Sequence, residues 1–514
     1  MAARTPCAAA LTYLEANAVK PSSKHLSPDS VPFYIPTRAV WALLEDKTKS
    51  VTLKAIFLCP CSACVQDGGS VSDRKTAFNG PRVQTLQTDY ALIYALLIYI
   101  RRPGLIRKFQ KHGRRLQSTE YLTDASFDVF RAENVSRLDV LRRQVVDYQY
   151  CFLVRTLRPA YDITVISPRE LLPIREDPEP RGVGVFAEVR CFEFQDDEYR
   201  SRQFGQITRF ARKIFKPEEL RFAVKEWNSL QTLSREEQHA HLMLALGAYQ
   251  HGPQFFILME EADHTLADYL KGTGAKYESR ELWKQMLGVT DGLASLHNFR
   301  RGTQIGYHRD MKPANILIVR RVFKIADFGL LEFEPVASST GASGVVHNYN
   351  TGYYAPPRQR RYTRDGDIWS LGCIISEMAN VDILGRSEYD KYRSARIGGK
   401  HMPSFFLEQT VKDAVLDRHT LLQNSVQSGT RLRGGAATVR FQQRFYTRDF
   451  FALLNAMFRV PSKTPVPDAR TVARTIDALH RAAVPSERED QVLRETGNRS
   501  NQMSSTLADR FRRK

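Results

Sequence analysis

Eight consecutive residues, His308-Arg309-Asp310-Met311-Lys312-Pro313-Ala314-Asn315, bring a carboxylate, a lysine and a carboxamide into one short stretch. Together these three side-chain types can accept a proton, neutralise an anion and give an oxygen to a hard cation. A second carboxylate follows twelve residues after Asn315, in Asp327-Phe328-Gly329, where the glycine lets the backbone turn. Upstream, Arg181-Gly182-Val183-Gly184-Val185-Phe186-Ala187-Glu188-Val189 carries glycines whose lack of side chains lets backbone amides approach phosphate.

The order of these motifs is the informative feature. Tyr307 to Asn315 resembles the catalytic loop of eukaryotic protein kinases, H-R-D-x-K-x-x-N, at every fixed position, and Asp327-Phe328-Gly329 resembles their D-F-G motif. The resemblance implies that Asp310 meets a substrate hydroxyl and accepts its proton. It also implies that Lys312 neutralises the transferring phosphoryl group and that Asn315 and Asp327 hold magnesium. Tyr353-Tyr354-Ala355-Pro356-Pro357 is similar to the A-P-E motif, and Asp367-Ile368-Trp369-Ser370-Leu371-Gly372 to D-x-W-S-x-G, whose aspartate holds the catalytic-loop backbone. Here Pro357 replaces the usual glutamate, and Val466, in Val466-Pro467-Asp468-Ala469, stands where its arginine partner belongs. Losing both partners together avoids stranding a buried charge, and it bears on rigidity rather than on phosphoryl transfer.

Several elements must position these groups. Ile316 to Val319 and Phe323 to Ala326 are short apolar runs that read as buried strands flanking the loop and the D-F-G motif. Two lysines compete for the phosphate-binding position: Lys213 in Phe210-Ala211-Arg212-Lys213, and Lys225 in Phe222-Ala223-Val224-Lys225. Pro217 with Glu218 and Glu219 suits a helix start, and Leu220, Ala223, Trp227, Leu230 and Leu233 then recur at helical spacing. Lys225 therefore falls on a helix, Lys213 on a strand, and Glu226 is the candidate partner of Lys213. The long gap between Gly184 and Lys213 is read as an enlarged hairpin loop around Gln195 to Glu198. Phe255-Phe256-Ile257-Leu258-Met259-Glu260-Glu261-Ala262 is similar to the strand and hinge between kinase lobes, with Met259 as gatekeeper and Glu260 and Ala262 offering backbone groups to adenine. Gly182, Val183, Gly184, Val185, Val189, Ala211 and Lys213 complete the nucleotide-binding set that the resemblance implies.

Residues 168–480 thus resemble a eukaryotic protein kinase domain: α+β and bilobal, with a small β-rich lobe and a large helical lobe, using ATP and Mg2+ on protein substrates. Lys312 points to serine and threonine acceptors. Residues 1–167 read as a mainly helical region of unassigned fold, and 481–514 as a polar, disordered tail with a helical patch near Leu507. The layout is similar to kinase-domain proteins of filamentous fungi. The alternative is a pseudokinase scaffold that binds nucleotide or protein partners without transfer; Lys213, Glu226, Asp310, Asn315 and Asp327 are all present, which favours the enzyme.

The 514 residues include 42% hydrophobic and 25% charged residues, enough for a full core and against wholesale disorder. The net charge of +19 favours anionic partners without choosing among them. Seven cysteines make no disulfide framework and suit a reducing, intracellular compartment, cytoplasmic or nuclear. No signal peptide is read, and the most apolar stretch, Tyr90 to Ile100, is too short to span a membrane and reads as a buried helix. Arg101 to Arg115 holds seven basic residues and no acidic one, a place for a phosphorylated or other anionic partner or simply a solvated helix face. Its lack of interleaved aromatics weighs against nucleic acid. Cys59, Cys61 and Cys64 could hold a metal with a fourth ligand from elsewhere, but no second ligand pair stands at a defined spacing, so reduced structural thiols are the preferred reading. In the kinase family an arginine like Arg309 meets a phosphorylated residue, for which the Ser338, Ser339, Thr340 and Ser343 cluster is the candidate; Thr351 is assigned to substrate contact.

Overall fold

Tyr90 to Ile100 folds as the helix Ala91–Tyr99, and Ile93, Tyr94, Ala95, Leu96, Leu97 and Ile98 are all buried. A helix apolar on every side must be covered on every side. The helices Pro6–Ala16, Thr37–Leu44 and Gly80–Gln87 pack around it. Leu11, Leu14, Val40, Leu43, Phe109 and Phe130 join it in one core. Among the described residues no helix is long and apolar enough to cross a membrane.

This computed structural model describes residues 5–21, 31–47, 51–117, 121–336, 352–357, 363–397, 403–459 and 465–484. The Ser338 to Ser343 cluster, Thr351 and the tail from 485 lie outside them. Two units are distinguished: Met1–Leu220 with Leu246–Glu260, and Arg221–Ala245 with Glu261–Lys514.

The first unit joins the N-terminal helices to a seven-stranded sheet. Its strands are β1 (Ile163–Ile166), β2 (Ile174–Glu176), β3 (Gly182–Val183), β4 (Ala187–Phe194), β5 (Arg209–Phe215), β6 (Gly247–His251) and β7 (Gln254–Glu260). The order is β1-β6-β7-β5-β4-β2, with β3 also on β4; only β1 with β6 is parallel. The sheet therefore takes in Ile163–Ile166, ahead of the boundary at 168 that the motifs suggest.

Alternation along β5 sends Phe210 and Ile214 into a core with Phe192, Phe194, Phe256 and Leu258. Arg212 shares that face and is buried; its Nε donates to Glu176 Oε1 at 2.8 Å and its Nη1 to the Tyr249 hydroxyl at 3.1 Å. The connection from β4 to β5 is long, and part of it docks on the N-terminal helices. Tyr34 donates to Gln195 Oε1 at 2.9 Å, Gln195 donates to the Lys20 carbonyl at 3.1 Å, and the Thr37 amide donates to the Tyr199 hydroxyl at 3.0 Å. Arg38 pairs with Asp196.

In the second unit, the helix Leu220–Glu236 starts after the Pro217–Glu219 turn, with Lys225 exposed and Ala223, Glu226, Trp227, Leu230 and Leu233 buried. The helix Arg364–Leu384 is buried along nearly its whole length. At its far end Asp382 accepts from Ser279 at 2.5 Å, Tyr446 at 2.6 Å and Trp283 at 3.2 Å, joining three helices through one carboxylate. Here β8 (His264–Thr265) and β11 (Val322–Ile325) flank β10 (Ile316–Val319), while β9 (Gln304–Tyr307) pairs with β12 (Glu332–Pro335). The architecture is α+β, with a helical N-terminal region ahead of the sheet.

Candidate active site

The loop between β9 and β10 is short because its side chains hold one another. Lys312 Nζ donates to Asp310 Oδ2 at 2.7 Å, and Asn315 Nδ2 donates to the same oxygen at 2.8 Å and to the Asp310 carbonyl at 2.9 Å. Asp310 Oδ1 is buried and has no hydrogen-bond partner among the described residues. One oxygen is thus fixed by two donors and the other stays open to accept. Burial pushes the Asp310 carboxyl above the ordinary aspartate range; Lys312 opposes the rise and Asp327 adds to it.

The loop backbone hangs from Asp367, in the first turn of the Arg364–Leu384 helix. Asp367 Oδ2 accepts from the His308 amide at 2.9 Å, Oδ1 accepts from the Arg309 amide at 2.9 Å, and His297 Nε2 lies 3.0 Å from Oδ2. Burial works to raise this carboxyl, but His297 and the surrounding donors outweigh it and hold it below the usual range. His308 is buried, with Nε2 3.1 Å from the Ala326 carbonyl and its ring 5.4 Å from that of Phe328. That imidazole ties the loop to the strand end carrying Asp327. Arg309 and Asp327 both adopt left-handed backbone, with φ of 67° and 66°. This is uncommon for non-glycine residues, and strain of this kind clusters at functional sites.

Glu226 reaches the same neighbourhood from the Leu220–Glu236 helix. A Cβ placed on Gly329 would stand 3.2 Å from Glu226 Oε2, so glycine at 329 leaves room for that carboxylate. Arg309 pairs with Glu332 on β12. A carboxylate of the chain itself thus meets the arginine that the sequence reading reserved for phosphate.

In the first unit, strand register collects the residues expected to bind nucleotide. Lys213 lies opposite Val189 and Ile257, and Ala211 opposite Cys191 and Met259, so Val189, Ala211, Lys213 and Met259 share one face. The β3–β4 hairpin closes through the Gly184 amide to the Ala187 carbonyl at 2.8 Å. Gly182 pairs with Val189, and Val183 and Val185 are exposed around that turn. Glu260 ends β7 and Ala262 follows two residues later.

Sequence reasoning missed three things. It did not find His297, whose role depends on a contact 70 positions away. It left the end of the segment at Pro357 without an anchor, yet Tyr354 donates to Glu377 Oε2 at 2.8 Å, and Glu377 forms a buried ion pair with Arg396 at 2.5 Å. And it did not find the acceptors within reach of Arg101 to Arg115: Arg102 pairs with Asp67, Lys108 donates to the Glu133 carbonyl, Lys111 and His112 meet the Glu133 carboxylate, and Arg115 faces Asp89.

Residues 198–428 match the protein kinase domain family. The chain is 30% identical to cell division control protein 2 homolog 3 of Trypanosoma brucei brucei over 162 residues, 30% of this chain and 49% of that protein. It is 30% identical to cyclin-dependent kinase F-3 of Oryza sativa subsp. japonica over 192 residues, 36% of this chain and 41% of that protein. With cyclin-dependent kinase 9 of Rattus norvegicus the identity is 25% over 289 residues, 53% of this chain and 71% of that protein. The chain spans less than half the length of the first two relatives.

Proposed function

We propose that this chain is an active protein kinase that transfers phosphate from ATP to serine and threonine hydroxyls of proteins. The observation that carries the reading is the Asp310 carboxylate, with Oδ2 held by Lys312 and Asn315 and Oδ1 open. In this reading Oδ1 accepts the proton of the incoming hydroxyl. Lys312 stands 2.7 Å from Oδ2, where a cation also serves to offset charge on a phosphoryl group. The donor set fits magnesium: the Asn315 amide nitrogen is engaged with Asp310, which leaves its oxygen, and Asp327 adds a carboxylate, both hard ligands. Magnesium-bound ATP supplies the phosphoryl group; Asn315 and Asp327 would hold the metal, and the face of Ala211, Val189 and Lys213 under the Gly182–Val185 hairpin would hold the nucleotide. Residues 168–480 are the span assigned to this activity.

The test compares three purified variants with the wild-type chain. Asp310→Ala should keep nucleotide binding and lose transfer by at least about 1,000-fold, since it removes the proton acceptor but no proposed nucleotide contact. Lys213→Met should cripple transfer and Lys225→Met should leave it within about two-fold, because only Lys213 lies on the sheet face with Val189 and Ala211. Wild-type-like transfer by Asp310→Ala, or a wild-type chain that binds nucleotide and phosphorylates nothing, returns the reading to a non-catalytic scaffold.

A further inference from the structure

The cysteine triplet at 59, 61 and 64 gains a fourth member in the fold. Cys7 sits in the first turn of the helix Pro6–Ala16, and its Sγ lies 3.4 Å from that of Cys59 and 3.5 Å from that of Cys61. All four sulfurs, with Cys64 included, lie within 4.8 Å of one another. We propose that Cys7, Cys59, Cys61 and Cys64 bind one zinc ion that pins the first helix to the segment from Leu53 to Gly68.

The spacing suits a single ion. Zinc–sulfur bonds of about 2.3 Å in a tetrahedron put the sulfurs about 3.8 Å apart. Disulfide sulfurs would be about 2.05 Å apart, and all seven cysteines are free. Iron–sulfur clusters place bridging sulfide and more than one iron between their thiolates, for which this group is too tight. Four soft thiolates select zinc over the hard cations of the phosphate site.

Two further features around the cluster call for an anionic centre. Arg74 is 2% exposed, and its guanidinium donates to the carbonyls of Phe57 at 2.8 Å, Cys59 at 2.9 Å and Gly69 at 3.2 Å. No carboxylate pairs with it among the described residues, and a buried cation without a counter-charge is costly. Four thiolates around one zinc carry a net charge of −2, and the Cys59 carbonyl places Arg74 beside them. The second feature is the Tyr94 hydroxyl, fully buried and without a hydrogen-bond partner among the described residues. Cys64, Cys59 and Cys7 act on it electrostatically, as does Arg74. Such outer contacts orient metal ligands and tune the charge of the centre.

The experiment measures metal in the full-length chain purified without chelator. Elemental mass spectrometry should find about one zinc per chain. Cys151→Ser, away from the cluster, should keep it. Cys7→Ser should weaken zinc binding by more than the about 10–100-fold typical of a lost outer-shell partner. Since loss of a ligand can unfold the region, wild-type protein is also exchanged with cobalt(II), which should show the thiolate charge-transfer and tetrahedral ligand-field absorption of a four-sulfur site. A folded wild-type chain without stoichiometric zinc and without that cobalt spectrum overturns the site, as does stoichiometric iron. Neither readout depends on kinase activity.

Discussion

Asp367 and Glu377 stand ten residues apart on one buried helix, and each fixes a different part of the chain. Asp367 accepts two backbone amides from the loop that begins at His308, with His297 beside it. Glu377 accepts the hydroxyl of Tyr354 and the guanidinium of Arg396. The first carboxylate is held by two peptide amides and one imidazole, so its hold on the loop depends on the loop's path and little on the loop's side chains. The second depends on the identity of one distant arginine, whose Cζ also lies 3.8 Å from the Phe405 centroid and 4.5 Å from that of Tyr392. Near Pro357 the anchor is a hydroxyl three residues earlier, and its acceptor is the carboxylate that also holds Arg396.

The largest effect is expected at Asp367. Asp367→Ala leaves the donors of His308, Arg309 and His297 without their acceptor, at about 1–3 kcal/mol each, and frees the loop that carries Asp310. Denaturant unfolding should show a loss above about 4 kcal/mol, together with loss of transfer.

Arg396→Met comes next. It strands Glu377 at 0% exposure, with an expected loss of about 3–5 kcal/mol. The double variant Glu377→Leu with Arg396→Met should recover most of that loss while leaving Tyr354 loosened. If the double variant is no better than the single, the pair is not a self-contained charge balance, and the contrast with Asp367 fails.

The smallest effect is conditional on pH. His419 is buried against the same helix, with Nε2 2.9 Å from Ser376 Oγ and Nδ1 2.7 Å from Asn455 Oδ1. Burial lowers its pKa to about 4, against a partial opposing effect of Asn455. Between that value and the ordinary histidine range near 6.5 the unfolded chain binds the extra proton, so stability falls as pH drops from about 7 to about 4. The expected fall is up to about 3 kcal/mol, and His419→Gln should flatten that part of the stability profile.

The legible parts of this molecule are those whose partners are close in sequence. Asp310, Lys312 and Asn315 span six positions, and the structure joins them in one hydrogen-bonded set. The helix carrying Lys225 and Glu226 was readable from Pro217 and the apolar spacing, since both are local signals. Cys7 was not readable as a neighbour of Cys59, because 52 positions and a helix packing decide it. Arg396 carries no motif, and nothing in the stretch around Tyr354 marks its hydroxyl as an anchor; only the fold reveals that both meet Glu377. The acceptors of the basic run at 101–115, such as Asp67 and Glu133, were not readable either, because folding brings them from outside the run.

The bond between Tyr34 and Gln195 spans 161 positions. On a ribosome adding about 5–20 residues per second, that separation is about 8–32 s of synthesis. Through that interval the leading helices can close their own core around Ala91–Tyr99, but Tyr34 has no sheet to enter and Thr37 no Tyr199 to meet. The helical region around Tyr34 therefore waits, partly finished, for a loop that has yet to be translated.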